Sequence, residues 1–346
     1  MAASIANLRA EDIQGKNVFL RAELNVPLSE PNNEGIRSIT SLSRVAAVIP
    51  TITYLKERGA RCIGVFAHLG RPNGNVDPLF SLRPVADALT SLLGFQVPFV
   101  DHCIGEEVEK AINTAASGSV ILFENLRFHP GEEADSTDPN TSLQFEVFSS
   151  ALSLGFQIYV NDAFGSSHRA HASICGVTKF IPTRVAGLTM AKEITYLKSI
   201  ENPVRPFAAV VGGAKVSTKI DVLYNLLDHV DNLLIGGAMA FTFYRALGMS
   251  VGNSKAEEKY IGTALRIMEA AEHKNVKVCI ASDVVVVEAA DMKEVMEATS
   301  AGRALVAHTV PFTNIPPNTI GLDIGRTALE EFYDVLGGCK TILWNG

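Results

Sequence analysis

The chain has 346 residues, a formal net charge of −7, 47% hydrophobic and 19% charged residues. That length exceeds the ~250–300 residues at which a single core stops growing, which predicts two globular domains. The charge excludes a general attraction to nucleic acid, and no apolar run reaches the ~18 residues of a membrane span, so any anion site has to be a local basic cluster.

The amino terminus, MAASIANLRAEDIQGKNVFL, lacks the basic-then-apolar layout of a secretory signal. Residues 17–21 are the first strand candidate and run into ELNVPL. Residues 45–58 read as a helix, followed by a strand over 62–66 and the loop AHLGRPNG. Residues 82–93 are helical, 97–100, 120–123 and 157–160 are strands, and DSTDPNTS at 135–142 is a polar loop. This alternation predicts a parallel sheet covered by helices on both faces, with functional groups at the carboxyl ends of the strands.

Charged residues gather at those ends. Arg21, Glu23 and Asn25 follow the first strand, and His68 and Arg71 follow the second. Glu124, Asn125 and Arg127 follow the strand at 120–123; Asn161, Asp162, His168, Arg169 and His171 follow the one at 157–160. Arg44 stands just ahead of the 45–58 helix and can join them. Strand ends of a parallel sheet share one rim, so five arginines and several histidines are expected to form a basic pocket for phosphate or carboxylate oxygens. His168 and His171 are three apart, but no nearby cysteine or paired carboxylate completes a ligand set, so no protein metal site is expected. No Ser–His–Asp or Cys–His arrangement stands out for covalent catalysis. The five cysteines are scattered without C-x-x-C spacing, which fits a reducing compartment.

A composition break follows near 182–206, where a helix over 190–200 is bracketed by prolines. A lone helix between two sheet domains is expected to act as a hinge. The second half restarts the alternation, with strands over 207–211, 232–235, 276–280 and 341–344 and helices over 216–227, 256–274 and 327–336. The strand at 207–211 ends on Gly212–Gly213, with a helix-compatible run from Ala214. Glycines let a phosphate approach the backbone, and a helix start favours an anion. Lys215 and Lys219, four apart, share a face if they lie on one helix. A tight turn with two solvated lysines remains the plain alternative. A second glycine pair, Gly236–Gly237, ends the next strand, and GLDIG at 321–325 reads as a further glycine loop. The stretch AAVVGGAKVSTK at 208–219 is neither G-x-x-x-x-G-K-[ST] nor G-x-G-x-x-G.

With ELNVPL, HLGRP, ENLRF, NDAFGSSHRAHAS, GGAKVSTK, IGGAMAFTF, GLDIG and the final WNG in this order, the chain resembles the phosphoglycerate kinase family along its whole length. The resemblance implies an α/β fold of two Rossmann-like, doubly wound parallel-sheet lobes: a phosphoglycerate lobe over 1–185, a hinge helix over 186–202 and a nucleotide lobe over 203–346. It implies 3-phosphoglycerate or 1,3-bisphosphoglycerate in the first lobe, Mg2+ with ATP or ADP in the second, and closure to bring them together. By motif, Glu23, Asn25, Arg44, His68, Arg71, Arg127 and Arg169 match the phosphoglycerate site. Gly213, Ala214, Lys215, Lys219, Gly237, Gly321 and Asn345 match the nucleotide site, and Arg44 and Lys215 are expected to stabilise the transferring phosphoryl group.

Some positions depart from the family. Glu23 stands for an Asp, Thr218 where Asp is common, Ala238 for a third glycine and Arg326 for a Pro. The family continues past WNG into a GGGD loop whose aspartate helps hold the magnesium. The 346 residues do not include it, so an incomplete carboxyl lobe, an exposed parallel edge and poor turnover are expected. The leading expectation is a carboxyl-group kinase acting on small molecules, a monomer unless a partner covers the exposed edge, in the cytoplasm, or in a plastid after loss of a transit peptide. No nucleic acid or membrane partner is expected. A non-catalytic relative of the family is the second reading; a dinucleotide dehydrogenase is a third, disfavoured because no G-x-G-x-x-G is present.

Overall fold

In the first strand, NVFLR, alternate residues face opposite layers, and all five are buried. Val18 and Leu20 join one apolar layer; Phe19 joins the other. Both layers exist because helices cover both faces, as a parallel sheet requires. The computed structural model describes residues 4–32, 37–290 and 292–346. It divides into two compact units, Met1–Tyr196 and Leu197–Gly346.

The first unit opens with α1 (Ala10–Ile13) and β1 (Asn17–Arg21), then α2 (Ser43–Glu57), β2 (Cys62–Phe66) and α3 (Arg83–Leu93). It continues with β3 (Phe99–Val100), α4 (Glu106–Thr114), β4 (Ser119–Phe123), α5 (Ser142–Ser153), β5 (Ile158–Asn161) and β6 (Thr183–Ala186). These strands form one parallel sheet in the order β3-β4-β2-β1-β5-β6. On one face α2 and α3 supply Val45, Ile52, Val85 and Leu89. On the other, α4 and α5 supply Ile112, Phe145 and Phe148. There Phe66 stacks between Phe19, at 4.0 Å, and Phe123, at 4.6 Å. Each such ring contributes about 1.5–3 kcal/mol by leaving water.

Asp162, at the end of β5, is buried. Its carboxylate accepts from Thr51 Oγ1 at 2.6 Å and from the Met190 N–H at 2.9 Å, inside the first turn of α6 (Leu188–Lys198). This anion at a helix start fixes where α6 leaves the sheet. The boundary between the units, at Tyr196 and Leu197, falls inside α6.

The second unit runs β7 (Phe207–Val211), α7 (Ile220–Leu226), β8 (Asn232–Ile235), α8 (Ala240–Ala246), α9 (Ile261–His273) and β9 (Lys277–Ile280). It ends with β10 (Asp283–Glu288), α10 (Met292–Ser300), β11 (Ala307–Pro311), β12 (Thr319–Ile324), α11 (Arg326–Gly337) and β13 (Thr341–Asn345). The parallel sheet is β13-β7-β8-β9, with α7, α8 and α9 packed on one face and α11 on the other. β13 stands at an edge of this sheet. A separate antiparallel sheet, β11-β10-β12, was not expected from the sequence. It carries GLDI of the supposed glycine loop as strand β12, which corrects that reading. Asp283 of β10 receives the Thr327 and Ala328 N–H groups, capping α11 and tying the two sheets together.

Candidate functional site

In the first unit the site is assembled around Gly70, in the loop after β2. Its φ is +63°, and a Cβ there would lie 2.3 Å from the Phe80 ring, so only glycine fits. The Gly70 N–H donates to Asn25 Oδ1 at 2.9 Å, and its carbonyl accepts from Arg127 Nη1 at 2.8 Å. One backbone unit thus joins the loops after β1, β2 and β4. Arg127 is 3% exposed, pairs through Nη2 with Glu133 Oε1 at 2.9 Å, and keeps a buried Nε with no partner among the described residues. Burial lowers its pKa, and the nearby charge of Arg169 acts in the same direction. Burial, then Arg21, Arg127, His171 and Arg169, push His68 down to about 2, so its ring is neutral. Arg44, in the first turn of α2, donates to the Asn25 carbonyl and lies 3.8 Å from Glu23 Oε1. Glu23 Oε2 in turn accepts from Ser166 Oγ at 2.8 Å. Arg71 is exposed beside Gly70, and Arg169 is half-buried.

The structure corrects part of the expected rim. Arg21 is fully buried, and its guanidinium is used by Ser173, Ala22 and His68. Glu124 accepts from Ser81 Oγ and the Leu82 and Asn125 N–H groups; Asn125 bridges Leu69 and Phe80. Asp162 caps α6. These residues hold the loops in place, and Arg44, Arg71, Arg127 and Arg169 remain as the cationic set. A cavity of 490 Å³ in the same unit, lined by Arg83, His102 and His129 among others, is lined by none of the expected anion ligands.

In the second unit the two glycine pairs lie side by side because β7 and β8 are neighbours. The Gly236 N–H donates to Val211 O at 3.0 Å, and the Met239 N–H to Gly213 O at 2.9 Å. Gly237 has φ +67°, and a Cβ there would fall 2.8 Å from the Gly213 nitrogen. A cavity of 370 Å³ opens on Gly212, Gly213, Gly236 and Gly237, walled by Leu329, Phe332, Tyr333 and Trp344 with Asp323 at its lining. A smaller one of 90 Å³ brings Gly237 together with Gly321 and Asp323. The Gly321 N–H is already given to Ser254 Oγ, so Gly321 shapes the wall without offering a donor.

The lysines do not share a helical face. Lys215 is extended, with φ −146° and ψ 132°, ahead of a single 3₁₀ turn, Val216–Thr218; Lys219 joins that turn to α7. A short connection after the glycines turns the chain before an α-helix can begin. Lys215 and Ala214 are exposed, and Lys219 Nζ donates to Asn345 Oδ1 at the end of β13. Sequence reasoning missed Glu257, which accepts from the Ser217 N–H at 3.0 Å and Ser217 Oγ at 2.7 Å. Burial raises its pKa, but the Ser217 and Val216 bonds and Lys215 outweigh this and hold it below its ordinary value. No local pattern links Glu257 to a turn forty residues earlier.

A model of the phosphoglycerate kinase family matches residues 8–346. The chain belongs to the phosphoglycerate kinase family. It is 45% identical over 346 residues to the cytosolic phosphoglycerate kinase of Triticum aestivum, covering 99% of this chain and 79% of that one. Against the chloroplastic phosphoglycerate kinase of Chlamydomonas reinhardtii it is 42% identical, covering 99% and 69%. The solved structure of phosphoglycerate kinase from Coxiella burnetii superposes with a TM-score of 0.80 at 32% identity, over 100% of this chain and 80% of that one. The family accounts for the α/β architecture, with a parallel sheet in each of the two units. Among the described residues no helix is long and apolar enough to cross a membrane.

Proposed function

We propose that the chain catalyses reversible phosphoryl transfer between 1,3-bisphosphoglycerate and ADP, giving 3-phosphoglycerate and ATP. The observation that carries this reading is the family match over residues 8–346. The relatives are named as kinases, which favours it over the non-catalytic alternative. Asn25, Arg44, His68, Arg71, Arg127 and Arg169, with Glu23, are the proposed phosphoglycerate ligands. Their support is the arginine cluster around Gly70, whose planar forks suit phosphate and carboxylate oxygens. Gly213, Ala214, Lys215, Lys219, Gly237, Gly321 and Asn345 are the proposed nucleotide residues, supported by the paired glycine turns and the cavities they line.

In the ATP-consuming direction a carboxylate oxygen of 3-phosphoglycerate attacks the γ-phosphorus in line. The bond from that phosphorus to the ADP oxygen breaks, and no side chain needs to act as nucleophile. Arg44 and Lys215 supply positive charge to the equatorial oxygens, while the remaining arginines hold the substrate in place. A magnesium ion bound with the nucleotide would supply further positive charge against the phosphate oxygens. Asp323 is the carboxylate lining both glycine cavities, so the donor set suits an ion carried by the phosphates better than an all-protein cage. Hinge motion over 186–202 completes the proposal, since the two ligands have to meet; scattering with both bound should report a smaller radius of gyration than without. The central test is coupled formation of ATP from 1,3-bisphosphoglycerate and ADP by the recombinant chain. Turnover that depends on both substrates supports the reading; absence of turnover together with absence of binding overturns it.

A further inference from the structure

Beneath the arginine rim runs a line of buried polar groups that the reaction above does not employ. Arg21 and Glu132 are both 0% exposed. Ser173 joins them: its Oγ donates to Glu132 Oε1 at 2.7 Å and accepts from Arg21 Nε at 2.9 Å. The Ser173 N–H gives Glu132 Oε2 a second bond at 3.0 Å. Arg21 Nη1 donates to Ala22 O at 2.6 Å, and Nη2 lies 3.0 Å from His68 Nδ1.

A guanidinium has donors only and keeps its proton throughout the ordinary pH range. The contact with His68 therefore has one polarity: Nη2 donates and Nδ1 accepts. A neutral imidazole whose Nδ1 accepts carries its proton on Nε2. Burial and the surrounding charges of Arg21, Arg127, His171 and Arg169 keep the ring neutral. Among the described residues Nε2 is neither hydrogen-bonded nor sealed from solvent.

We propose that Arg21 is a positioning residue, which holds His68 as a neutral Nε2–H donor for an anionic oxygen of the substrate. The identity of that substrate rests on the phosphoglycerate reading above. The arrangement has a chemical consequence. A neutral N–H stabilises an anionic oxygen without surrendering a proton to it. Glu132 balances the Arg21 charge through Ser173, so the arginine is not left as an unpaired interior cation.

The test begins with the ligand-free wild-type protein, labelled with ¹⁵N at histidine, with the His68 signal assigned by its loss in His68→Gln. The expected spectrum shows a pyridine-type Nδ1 and a pyrrole-type Nε2, unchanged from pH 5 to 9. A proton on Nδ1, or a ring that titrates within that range, would overturn the proposal. The second arm compares 3-phosphoglycerate affinity in His68→Gln and His68→Asn by calorimetry. A glutamine amide reaches the Nε2 position and an asparagine amide the Nδ1 position. His68→Gln should retain about tenfold more affinity, roughly one hydrogen bond to a charged group. Equal loss, or the reverse order, would count against donation through Nε2. A third variant, Arg21→Met, removes the donor and should leave both tautomers populated; if it does not fold, the first two arms still decide. A wild-type chain with the expected tautomer that fails to bind 3-phosphoglycerate would refute the substrate and leave the tautomer assignment standing.

Discussion

Arg71 is exposed and forms no ion pair among the described residues, so its role in the fold is small. Arg71→Lys should weaken 3-phosphoglycerate binding about tenfold by calorimetry, because an ammonium cannot match a bidentate fork, while the melting temperature stays within about one degree. Asp162 is the opposite case. Burial raises its pKa in the folded state, partly offset by the bonds from Thr51 and Met190. The folded protein then holds a proton on Asp162 that the unfolded chain has released, so this group's contribution to stability falls as pH rises through that window. Asp162→Asn keeps the shape and removes the titration. Its stability relative to wild type should therefore rise from pH 4 to pH 7 in urea unfolding; a constant difference would show that Asp162 does not titrate in this way. The sequence placed Arg71 and Asp162 on the same rim. Nothing in either local pattern says that one faces water and the other lies beneath Thr51; that depends on α2 and α6 arriving from elsewhere in the chain.

The 3₁₀ turn Val216–Thr218 and the β8 glycine turn are the elements on which the proposed nucleotide site depends. Glu257 holds the former by two bonds to Ser217. Glu257→Ala should cost about 1 kcal/mol, as loss of a helix cap does, and speed amide exchange at residues 216–218. Nucleotide affinity should drop with it, since Lys215 directly precedes the turn. Gly237→Ala forces a side chain into a left-handed residue and against the Gly213 nitrogen. The backbone term alone costs about 1–2 kcal/mol. Differential scanning calorimetry should show that loss, with 3-phosphoglycerate binding unchanged. Strands such as β1, β2, β7 and β8 were legible to the residue, because short, mainly apolar runs of four or five residues bounded by polar or glycine positions leave little freedom. The shared face of Lys215 and Lys219 was not. Helical spacing holds only where a helix forms, and the chain turns there first. DVVVVE of β10 gives no alternation to say which face it buries or which strand it joins, and its partners lie some twenty to forty residues further on.

At the scale of the whole molecule, two compact units with separate cores predict separable responses to ligand. A ligand at about one hundred times its Kd stabilises the unit that holds it by about 2.7 kcal/mol. Hydrogen exchange should therefore show 3-phosphoglycerate protecting amides of residues 4–196 and ADP those of 197–346; the reverse pattern would refute the proposed division of sites. What the sequence determined by itself was the β–α alternation, the division in two and the families of polar residues at strand ends. Each of these follows from local periodicity and from the motifs that carry the family. What only the tertiary structure decided was which polar residues work on substrate and which on the fold. Arg21 ends β1 and Arg127 follows β4, yet one is enclosed by Ser173, Ala22 and His68 while the other keeps an Nε with no partner among the described residues. Burial and hydrogen-bond partnership are properties of packing between distant segments, and no window of sequence contains both sides of such a contact.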